Sequence, residues 1–253
     1  MKILVCIKQV PDMESKFKLN PAGTWYSDQD LAWRMNEYDE FAVEQAVQLK
    51  EQTGGELVVL SLGPARVREA LKKALAMGAD RAVHLQDEAS HEKDPFAIAS
   101  AIAAYSREEN FDAIFTGMQS QDRGSAQVGL MLAELLGINA VSTIVDFSCD
   151  GNSVTVKREL EGGLKAVVKT SLPALFTCQL GLNTPRYPTL PNIMKAKKKE
   201  IATPALAAPA ALTETLSVAY PEKKGQGLVL EGDAGELADQ LLSILKEKTT
   251  VLK

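Results

Sequence analysis

Residues 111–137, FDAIFTGMQSQDRGSAQVGLMLAELLG, run from an apolar segment through a polar loop into an amphipathic pattern. The segment 111–117 predicts a buried strand, and residues 124–137 predict a helix. Residues 117–129 include several glycines and three glutamines. Because a simple strand-to-helix connection needs only a turn and a capping residue, this composition indicates a loop that is built around a ligand.

The alternation of strand and helix extends back to the start of the chain. Apolar runs rich in β-branched residues predict strands, and stripes of apolar residues at helical spacing predict helices. The strands are predicted at 2–7, 56–63 and 81–86, and the helices at 36–55, 66–79 and 95–109. Strands separated by helices of this length favour right-handed crossovers. The sequence therefore predicts an α/β fold: an open, mostly parallel sheet with helices on both faces.

The pattern changes after residue 140. Four strand-like runs, 140–148, 152–160, 164–170 and 173–181, are separated by turn signals such as D-G and G-G, which predict an antiparallel extension. Three prolines within 185–191 then indicate a stiff loop, and 202–212 has the composition of an extended linker. The helix predicted at 234–248 cannot bury its own apolar face, so we expect it to dock on another subunit. We predict a nucleotide-binding domain at 1–185 and a recognition loop with a C-terminal arm at 186–253.

Composition excludes several classes of protein. The net charge of −5 argues against nucleic-acid binding, and no apolar run is long enough to insert into a membrane. The three cysteines, Cys6, Cys149 and Cys178, lack metal-ligand or disulfide spacing. The two histidines, His84 and His91, have the context of a core-edge and a surface residue, and no G-x-S-x-G motif is present. With no signal-peptide pattern at 1–10, we expect a cytoplasmic protein. Acid-base hydrolysis is not excluded by these residues, although no motif indicates it.

The loop after residue 117 lies where open α/β sheets bind ligands, at the carboxyl end of a strand and the start of a helix. Unpaired amide groups at a helix N-terminus attract anions, and glycine lets the backbone approach a ligand closely. Ser125 can cap the helix or bind a phosphate oxygen, and Gln119, Gln121 and Gln127 can reach a base or a ribose. The segments 6–9, 36–39 and 61–64 follow other predicted strands or open the first helix and outline the same pocket. No G-x-x-x-x-G-K-[ST] motif is present, which disfavours phosphoryl transfer. An ordinary capped polar loop is the alternative, and the residues do not tell whether a nucleotide is consumed, sensed or structural.

Four stretches resemble one known family. They are CIKQVPD at 6–12, ALAMGADRAV at 74–83, KRELEGGLKAVVKTSLPALFTC at 157–178 and RYPTLPNIMKAKKK at 186–199. Together they resemble the β subunit of electron transfer flavoprotein, and the resemblance covers nearly the whole chain.

The resemblance implies a set of residues that contact AMP. They are Cys6 (through its main chain), Asn36, Glu37, Tyr38, Asp39, Leu62, Gly117, Met118, Gln119, Ser120, Gln121, Asp122, Arg123, Gly124, Ser125, Ala126, Gln127 and Val128. It also implies a loop that recognises partner dehydrogenases, with Leu190 as its anchor. That loop comprises Arg186, Tyr187, Pro188, Thr189, Leu190, Pro191, Asn192, Ile193, Met194 and Lys195.

Two charged groups near this loop have open interpretations. Glu159 corresponds to an acidic residue that pairs with an arginine of a mobile FAD-bearing domain, and a cross-strand pair with Lys157 or Arg158 is the alternative. The lysines around 195–199 steer acidic partners or are simply solvated. Met13 stands near the position where the family has an aromatic residue that can approach the flavin, so the resemblance leaves that contact open.

The implied function is that of an electron carrier without a substrate of its own. The chain would hold a structural AMP and pair with an α subunit that carries the redox-active FAD. Electrons would pass from acyl-CoA dehydrogenases, as in fatty acid oxidation, to a membrane quinone oxidoreductase. One alternative is a bifurcating member with a second FAD in place of AMP. Alternatives from other classes are a stand-alone adenine-nucleotide-binding signalling domain, which would end near residue 150, and a nucleotide hydrolase.

Overall fold

The apolar runs of the sequence form a nine-stranded sheet and a two-stranded sheet. The computed structural model describes residues 1–205, 207, 209–222 and 227–250, in two units, 1–217 and 218–253. Along the chain the strands are β1 (Lys2–Cys6), β2 (Gln9–Pro11), β3 (Trp33–Met35), β4 (Glu56–Gly63), β5 (Arg81–Gln86), β6 (Ala113–Gly117), β7 (Asn139–Asp150), β8 (Ser153–Glu159), β9 (Lys165–Ser171), β10 (Ala174–Cys178) and β11 (Ile201–Ala202). The helices are α1 (Glu37–Thr53), α2 (Arg68–Met77), α3 (Pro95–Glu109), α4 (Val128–Leu136), α5 (Leu190–Lys198) and α6 (Ala234–Lys248).

The order of strands in the large sheet is β11-β5-β4-β1-β6-β10-β7-β8-β9. β1 pairs in parallel with β4 on one side and with β6 on the other, so that Cys6 faces Leu60 and Thr116. The chain builds outward from β1 through β4 to β5 and then returns to place β6 on the opposite side. This reversal puts a topological switch point beside β1, which is where open α/β sheets form a ligand crevice. The predicted α/β class is confirmed.

Helices cover both faces of the central strands. In β1, Ile3 and Val5 pack in a core cluster with Ala42 of α1, whereas Leu4 packs in a second cluster with Leu132 of α4. These strand residues are fully buried. Burial on both faces explains why the strands appear in the sequence as continuous apolar runs without alternation.

The predicted antiparallel extension is present, but one of its four runs was assigned wrongly. β7, β8 and β9 pair antiparallel, as the turn signals predicted. β10 instead inserts between β6 and β7 and is parallel to both, with Phe176 opposite Phe115 and Val141. The antiparallel strands therefore extend the parallel sheet itself.

Two further boundaries differ from the prediction. The helix predicted from residue 124 begins at Val128, because Gly124 and Ala126 have positive φ angles of 62° and 53° that interrupt a helix. The predicted stiff loop around 186–195 is helical from Leu190 onward, since Thr189 caps the helix and Pro191 occupies its first turn.

Residues 203–217, where described, have no regular secondary structure, and part of this stretch is fastened to α3. The amide groups of Leu212 and Thr213 donate to Asp94 Oδ2 at 2.7 and 3.0 Å, while Asp94 Oδ1 caps α3 through Ala97. Burial acts to raise the pKa of Asp94, but these hydrogen bonds outweigh it and lower the pKa.

The second unit contains α6, which opens with a capping box between Asp233 and Glu236. Leu241 and Leu242 of this helix are about half exposed, at 50% and 46%. Docking of the arm on another subunit, and the domain boundary at 185, stay predictions. Among the described residues, no helix combines the length and the apolar character that crossing a bilayer requires.

Candidate nucleotide-binding site

A cavity lies at the carboxyl ends of β1, β4 and β6, beside the switch point of the sheet. It collects residues from chain segments that are far apart in sequence. Its lining includes most of the predicted contact residues: Cys6, Asn36, Asp39, Leu62, Gly117, Met118, Gln119, Ser120, Asp122, Arg123, Ser125, Ala126, Gln127 and Val128.

The other four predicted residues, Glu37, Tyr38, Gln121 and Gly124, do not line the cavity but form hydrogen bonds that hold the loop in place. Gln121 Nε2 donates to Glu37 Oε2 at 2.9 Å, and Gln119 Nε2 donates to the hydroxyl of Tyr38 at 3.4 Å. The amide of Gly124 donates to the carbonyl of Ser120 at 2.8 Å. The fold brings all the predicted residues to one place, and their contact with a nucleotide stays a prediction.

The start of α1 is bonded directly to the loop after β6. Asn36 Nδ2 donates to the carbonyl of Gln119 at 2.9 Å, and Asn36 Oδ1 accepts the amide of Gln121 at 3.0 Å. Asn36 is buried and precedes the first residue of α1. Its side chain therefore satisfies the backbone of the loop and holds it against the helix.

Asp39 is the buried centre of this junction. Its Oδ1 accepts from Asn36 Nδ2 at 3.0 Å and from the amide of Gly117 at 3.1 Å, and its Oδ2 accepts from the amide of Lys8 at 2.6 Å. The carboxylate thus joins the ends of β1 and β6 to α1. Neutral acceptors cannot replace it easily, because hydrogen bonds to a charged group are stronger.

Gly117 is required by Asp39 itself. A Cβ atom at residue 117 would lie 2.2 Å from Asp39 Oδ1, 2.8 Å from Tyr38 Cβ and 3.2 Å from Asn36 Nδ2. Sequence reasoning attributed this glycine to close approach of a ligand. In the structure it makes room for the carboxylate that organises the site.

Burial raises the pKa of Asp39 to about 7, against the opposing effects of the hydrogen bonds from Asn36, Lys8 and Gly117. A carboxyl whose pKa is higher in the folded state contributes stability that is lost as the pH rises through that value. We expect the free energy of unfolding of the wild type to fall by about 2 kcal/mol, relative to Asp39→Asn, between about pH 5 and pH 7. Urea denaturation of the wild type and of Asp39→Asn at several pH values in this range measures this difference. Parallel pH profiles for the two proteins would contradict the prediction.

Lys8 lies in the segment 6–9 that was predicted to outline the pocket, although it was not among the predicted contact residues. Its ammonium lies 2.6 Å from Asp122 Oδ2 and 3.4 Å from Ser120 Oγ. Burial lowers the pKa of Lys8, with Asp122 acting in the opposite direction. These contacts connect the loop to the end of β1. The position of Lys8 directly after an apolar strand that ends in the pocket was the signal for this role in the sequence.

Sequence reasoning did not predict the wall of the cavity that Trp25, Tyr26 and Trp33 form. Trp25 and Tyr26 lie in the β2–β3 loop, residues 12–32, and Trp33 begins β3. The guanidinium of Arg66 stacks on Trp33 at 3.7 Å, and that of Arg123 stacks on Trp25 at 4.5 Å. A cluster of aromatic residues in an otherwise polar loop was the signal available in the sequence.

The loop leading into α4 has free backbone donors. Ser125, Ala126 and Gln127 are exposed, and none of their amides donates to an acceptor in the described part of the chain. The first amides of α4 are unpaired as at any helix start. The rim of the cavity therefore carries donors and the positive end of a helix dipole, which favours an anionic group.

The cysteines have no redox or nucleophilic role in this arrangement. Burial raises the pKa values of the thiols of Cys6, Cys149 and Cys178, and all three are free. A buried thiol with a raised pKa is a poor nucleophile. His84 is buried with Nε2 at 2.8 Å from the carbonyl of Gly63, and His91 is exposed, as predicted.

The residues predicted to recognise a partner divide into two groups. Tyr187, Leu190 and Met194 are exposed, at 95%, 72% and 51%, and Ile193 is partly exposed beside them. Arg186 instead points toward the protein and binds Glu44 and Glu51 of α1. The remaining residues of the segment are exposed or half-buried: Pro188, Thr189, Pro191, Asn192 and Lys195.

Glu159 is exposed at the end of β8, where it accepts a hydrogen bond from Gln179 Nε2 at 3.1 Å. The alternative pairing with Lys157 is wrong, because Lys157 binds Asp146. No cation of the described residues forms an ion pair with Glu159. Its pairing with another domain stays a prediction.

The fold and the cavity define the class of the protein: it is an open α/β protein with a pocket of polar and apolar residues at the switch point of its sheet. The electron transfer flavoprotein domain family matches residues 24–209. The electron transfer flavoprotein subunit beta of Bacillus subtilis (strain 168) is 36% identical over the whole of both chains. That of Syntrophomonas wolfei is 38% identical, over 99% of this chain and 98% of the relative, and that of Sus scrofa is 39% identical over 79% and 80%. The chain therefore belongs to the family of electron transfer flavoprotein β subunits.

Proposed function

We propose that this chain is the β subunit of a heterodimeric electron carrier and holds AMP permanently in the cavity at the switch point. The convergence of the predicted contact residues on this cavity supports the proposal most strongly. They come from the ends of β1, β4 and β6, the start of α1 and the loop before α4. A cavity with an apolar lining and a few polar groups, built from scattered segments, is typical of a site for a small ligand.

The residues of the cavity suit a ligand that is held and not converted. Lys8, the cation at the end of β1, is already paired with Asp122. Asp39, the buried carboxylate, is occupied by three donors of the protein. These groups therefore position the backbone around the ligand, and the protein acts as an electron carrier without its own substrate.

The redox chemistry in this proposal belongs to an FAD in or beside a partner α subunit. Glu159 is available to pair with a cation of that partner, since no cation of the described residues is bound to it. A pair between exposed groups is worth about 0–1 kcal/mol, which suits a partner domain that must move. The arm at 186–253 would dock on the same subunit.

The exposed group around Leu190 would recognise acyl-CoA or related dehydrogenases. Tyr187, Leu190 and Met194 expose apolar surface on and just before a short helix, and Lys197 and Lys198 of the same helix are exposed. An apolar anchor with a charged rim is typical of protein interfaces. Electrons would leave toward a membrane quinone oxidoreductase, with the heterodimer itself in the cytoplasm.

The test is the cofactor content of the heterodimer. We expect the chain, co-expressed with its α subunit, to contain about one AMP and one FAD per heterodimer when cofactors are released and separated by chromatography. Folded heterodimer that is washed extensively before the cofactors are released serves as the control for loosely bound nucleotide. Two FAD and no AMP would establish the bifurcating alternative, and no adenylate at all would contradict the proposed site.

A further inference from the structure

We infer that Arg123 is the counter-ion for the phosphate of the bound nucleotide and that Trp25 positions its guanidinium group. This inference rests on the proposed function, because it assigns a charge within the same pocket. It adds a selectivity that the cavity alone does not define: the site distinguishes a nucleoside monophosphate from the nucleoside without phosphate.

The argument begins with the charges that line the cavity. Most of its cations already have a carboxylate partner. The ion pairs are Lys8–Asp122 at 2.6 Å, Arg66–Asp28 at 3.0 Å and Lys93–Asp87 at 3.1 Å. Arg123 also lines the cavity, yet it forms no ion pair with any carboxylate in the described ranges. Its positive charge is therefore left for a ligand.

Arg123 is nevertheless held in one place. Its Nη1 donates to the carbonyl of Lys93 at 3.0 Å, and its Nη2 donates to the carbonyl of His91. The ring of Trp25 lies 4.5 Å from the guanidinium carbon. Carbonyls and an aromatic face orient a guanidinium group without neutralising it. An arginine fixed in this way loses little entropy when it binds an anion.

The free charge lies close to the other charged groups of the pocket. Burial is the main cause that lowers the pKa of Lys8, and the charge of Arg123 adds to that lowering. The two cations are therefore near enough to repel each other. An anion bound between the loop and the wall relieves this repulsion.

A phosphate monoester matches this arrangement. It carries a charge of about −1.5 to −2 near pH 7 and binds arginine through charge-assisted hydrogen bonds. Arg123 Nε donates to no acceptor of the described residues and is not among the buried unpaired atoms. It remains reachable as a donor to phosphate oxygen. A triphosphate would require more unpaired cations than this one.

The test measures how well AMP and adenosine displace bound radiolabelled AMP from the αβ heterodimer. Arg123→Gln removes the charge at similar size. Arg107→Gln is the matched control, because Arg107 also donates to a main-chain carbonyl, that of Leu135, and forms no ion pair among the described residues, but does not line the cavity. Trp25→Ala removes the positioning ring, and Trp25→Phe retains an aromatic face.

We expect Arg123→Gln to reduce the preference for AMP over adenosine about 10- to 100-fold, with Arg107→Gln changing it less than about threefold. Trp25→Ala reduces the preference partly, and Trp25→Phe restores it. Raised salt weakens AMP binding in the wild type more than in Arg123→Gln.

Equal loss of AMP and adenosine binding in Arg123→Gln would overturn this inference and leave the proposed nucleotide site standing. If Arg123→Gln does not assemble, an unchanged preference in Trp25→Ala overturns it in the same assay. A wild-type heterodimer without any adenine nucleotide would overturn both.

Discussion

Gly117→Ala is expected to lower the free energy of unfolding by about 3 kcal/mol or more and to abolish retention of the nucleotide. The added methyl group would overlap Asp39 Oδ1 at 2.2 Å and contact Tyr38 Cβ at 2.8 Å. Neither neighbour can retreat freely. Asp39 is bonded to Lys8 and Asn36, and Tyr38 belongs to the first turn of α1. The carboxylate must leave its three donors, and buried donors are then unsatisfied.

Urea denaturation and the AMP content of the purified heterodimer measure the two effects. Gly227→Ala is the control, because Gly227 has no positive φ and nothing lies within 4 Å of a Cβ built there. It should change stability by no more than about 0.5 kcal/mol. A Gly117→Ala protein as stable as this control would contradict the prediction, because it would show that Asp39 and Tyr38 can move to accommodate the methyl group.

Arg186→Ala and Leu190→Ala are expected to have opposite kinds of effect, although they lie four residues apart in the same segment. Arg186 donates to Glu44 at 2.8 and 3.0 Å and to Glu51 at 2.6 and 3.1 Å. Glu44 is only 3% exposed, so the loss of Arg186 leaves a buried carboxylate with Gln48 as its remaining side-chain donor. We expect Arg186→Ala to cost about 3 kcal/mol of stability.

Leu190→Ala should leave stability within about 0.5 kcal/mol of the wild type, because this side chain is 72% exposed. Under the proposed function it should instead lower kcat/KM for reduction of the heterodimer by a partner dehydrogenase about 10-fold. Glu51→Gln is the control for Arg186, since an exposed pair contributes at most about 1 kcal/mol. If Arg186→Ala lowered kcat/KM as much as Leu190→Ala does and left stability unchanged, the result would mean that Arg186 contacts the partner directly.

The charges of Arg186, Glu44 and Glu51 reinforce one another. Hydrogen bonds from Arg186 lower the pKa of Glu51, and the two carboxylates raise the pKa of Arg186. The segment that exposes Leu190 is thus tied to the middle of α1. The start of the same helix carries Asn36, just before its first residue, and Asp39, both of which line the cavity.

The elements of the α/β sheet follow from the sequence because their signals are local. The strands at 56–63 and 81–86 and the helix at 95–109 lie where predicted. A buried parallel strand needs a continuous apolar run, and a helix packed on a sheet needs an apolar stripe. The end of α1 was equally clear, since Gly54 adopts the left-handed conformation that stops a helix.

The place of β10 could not be predicted from its own residues. An apolar strand can pair in either direction, and the turn signals between the preceding strand-like runs suggested that the antiparallel pattern continued through β10. Contacts among the rings of Phe115, Phe147 and Phe176 stabilise its pairing with β6 and β7. The ring centroids lie 5.1 to 5.4 Å apart. Contacts between residues so far apart along the chain exist only after the sheet assembles.

The sequence by itself determined the class of fold, the family and the position of the loop that lines the cavity. Those depend on periodicity, glycine placement and motifs within short stretches. Only the tertiary structure decided what the individual side chains do. In it, Arg186 pairs with Glu44 of α1, and Asp39 accepts the amide of Gly117. The ring of Trp25 stacks on the guanidinium of Arg123. The physical reason is that hydrogen bonds, ion pairs and steric contacts between distant segments depend on distances that no local pattern encodes.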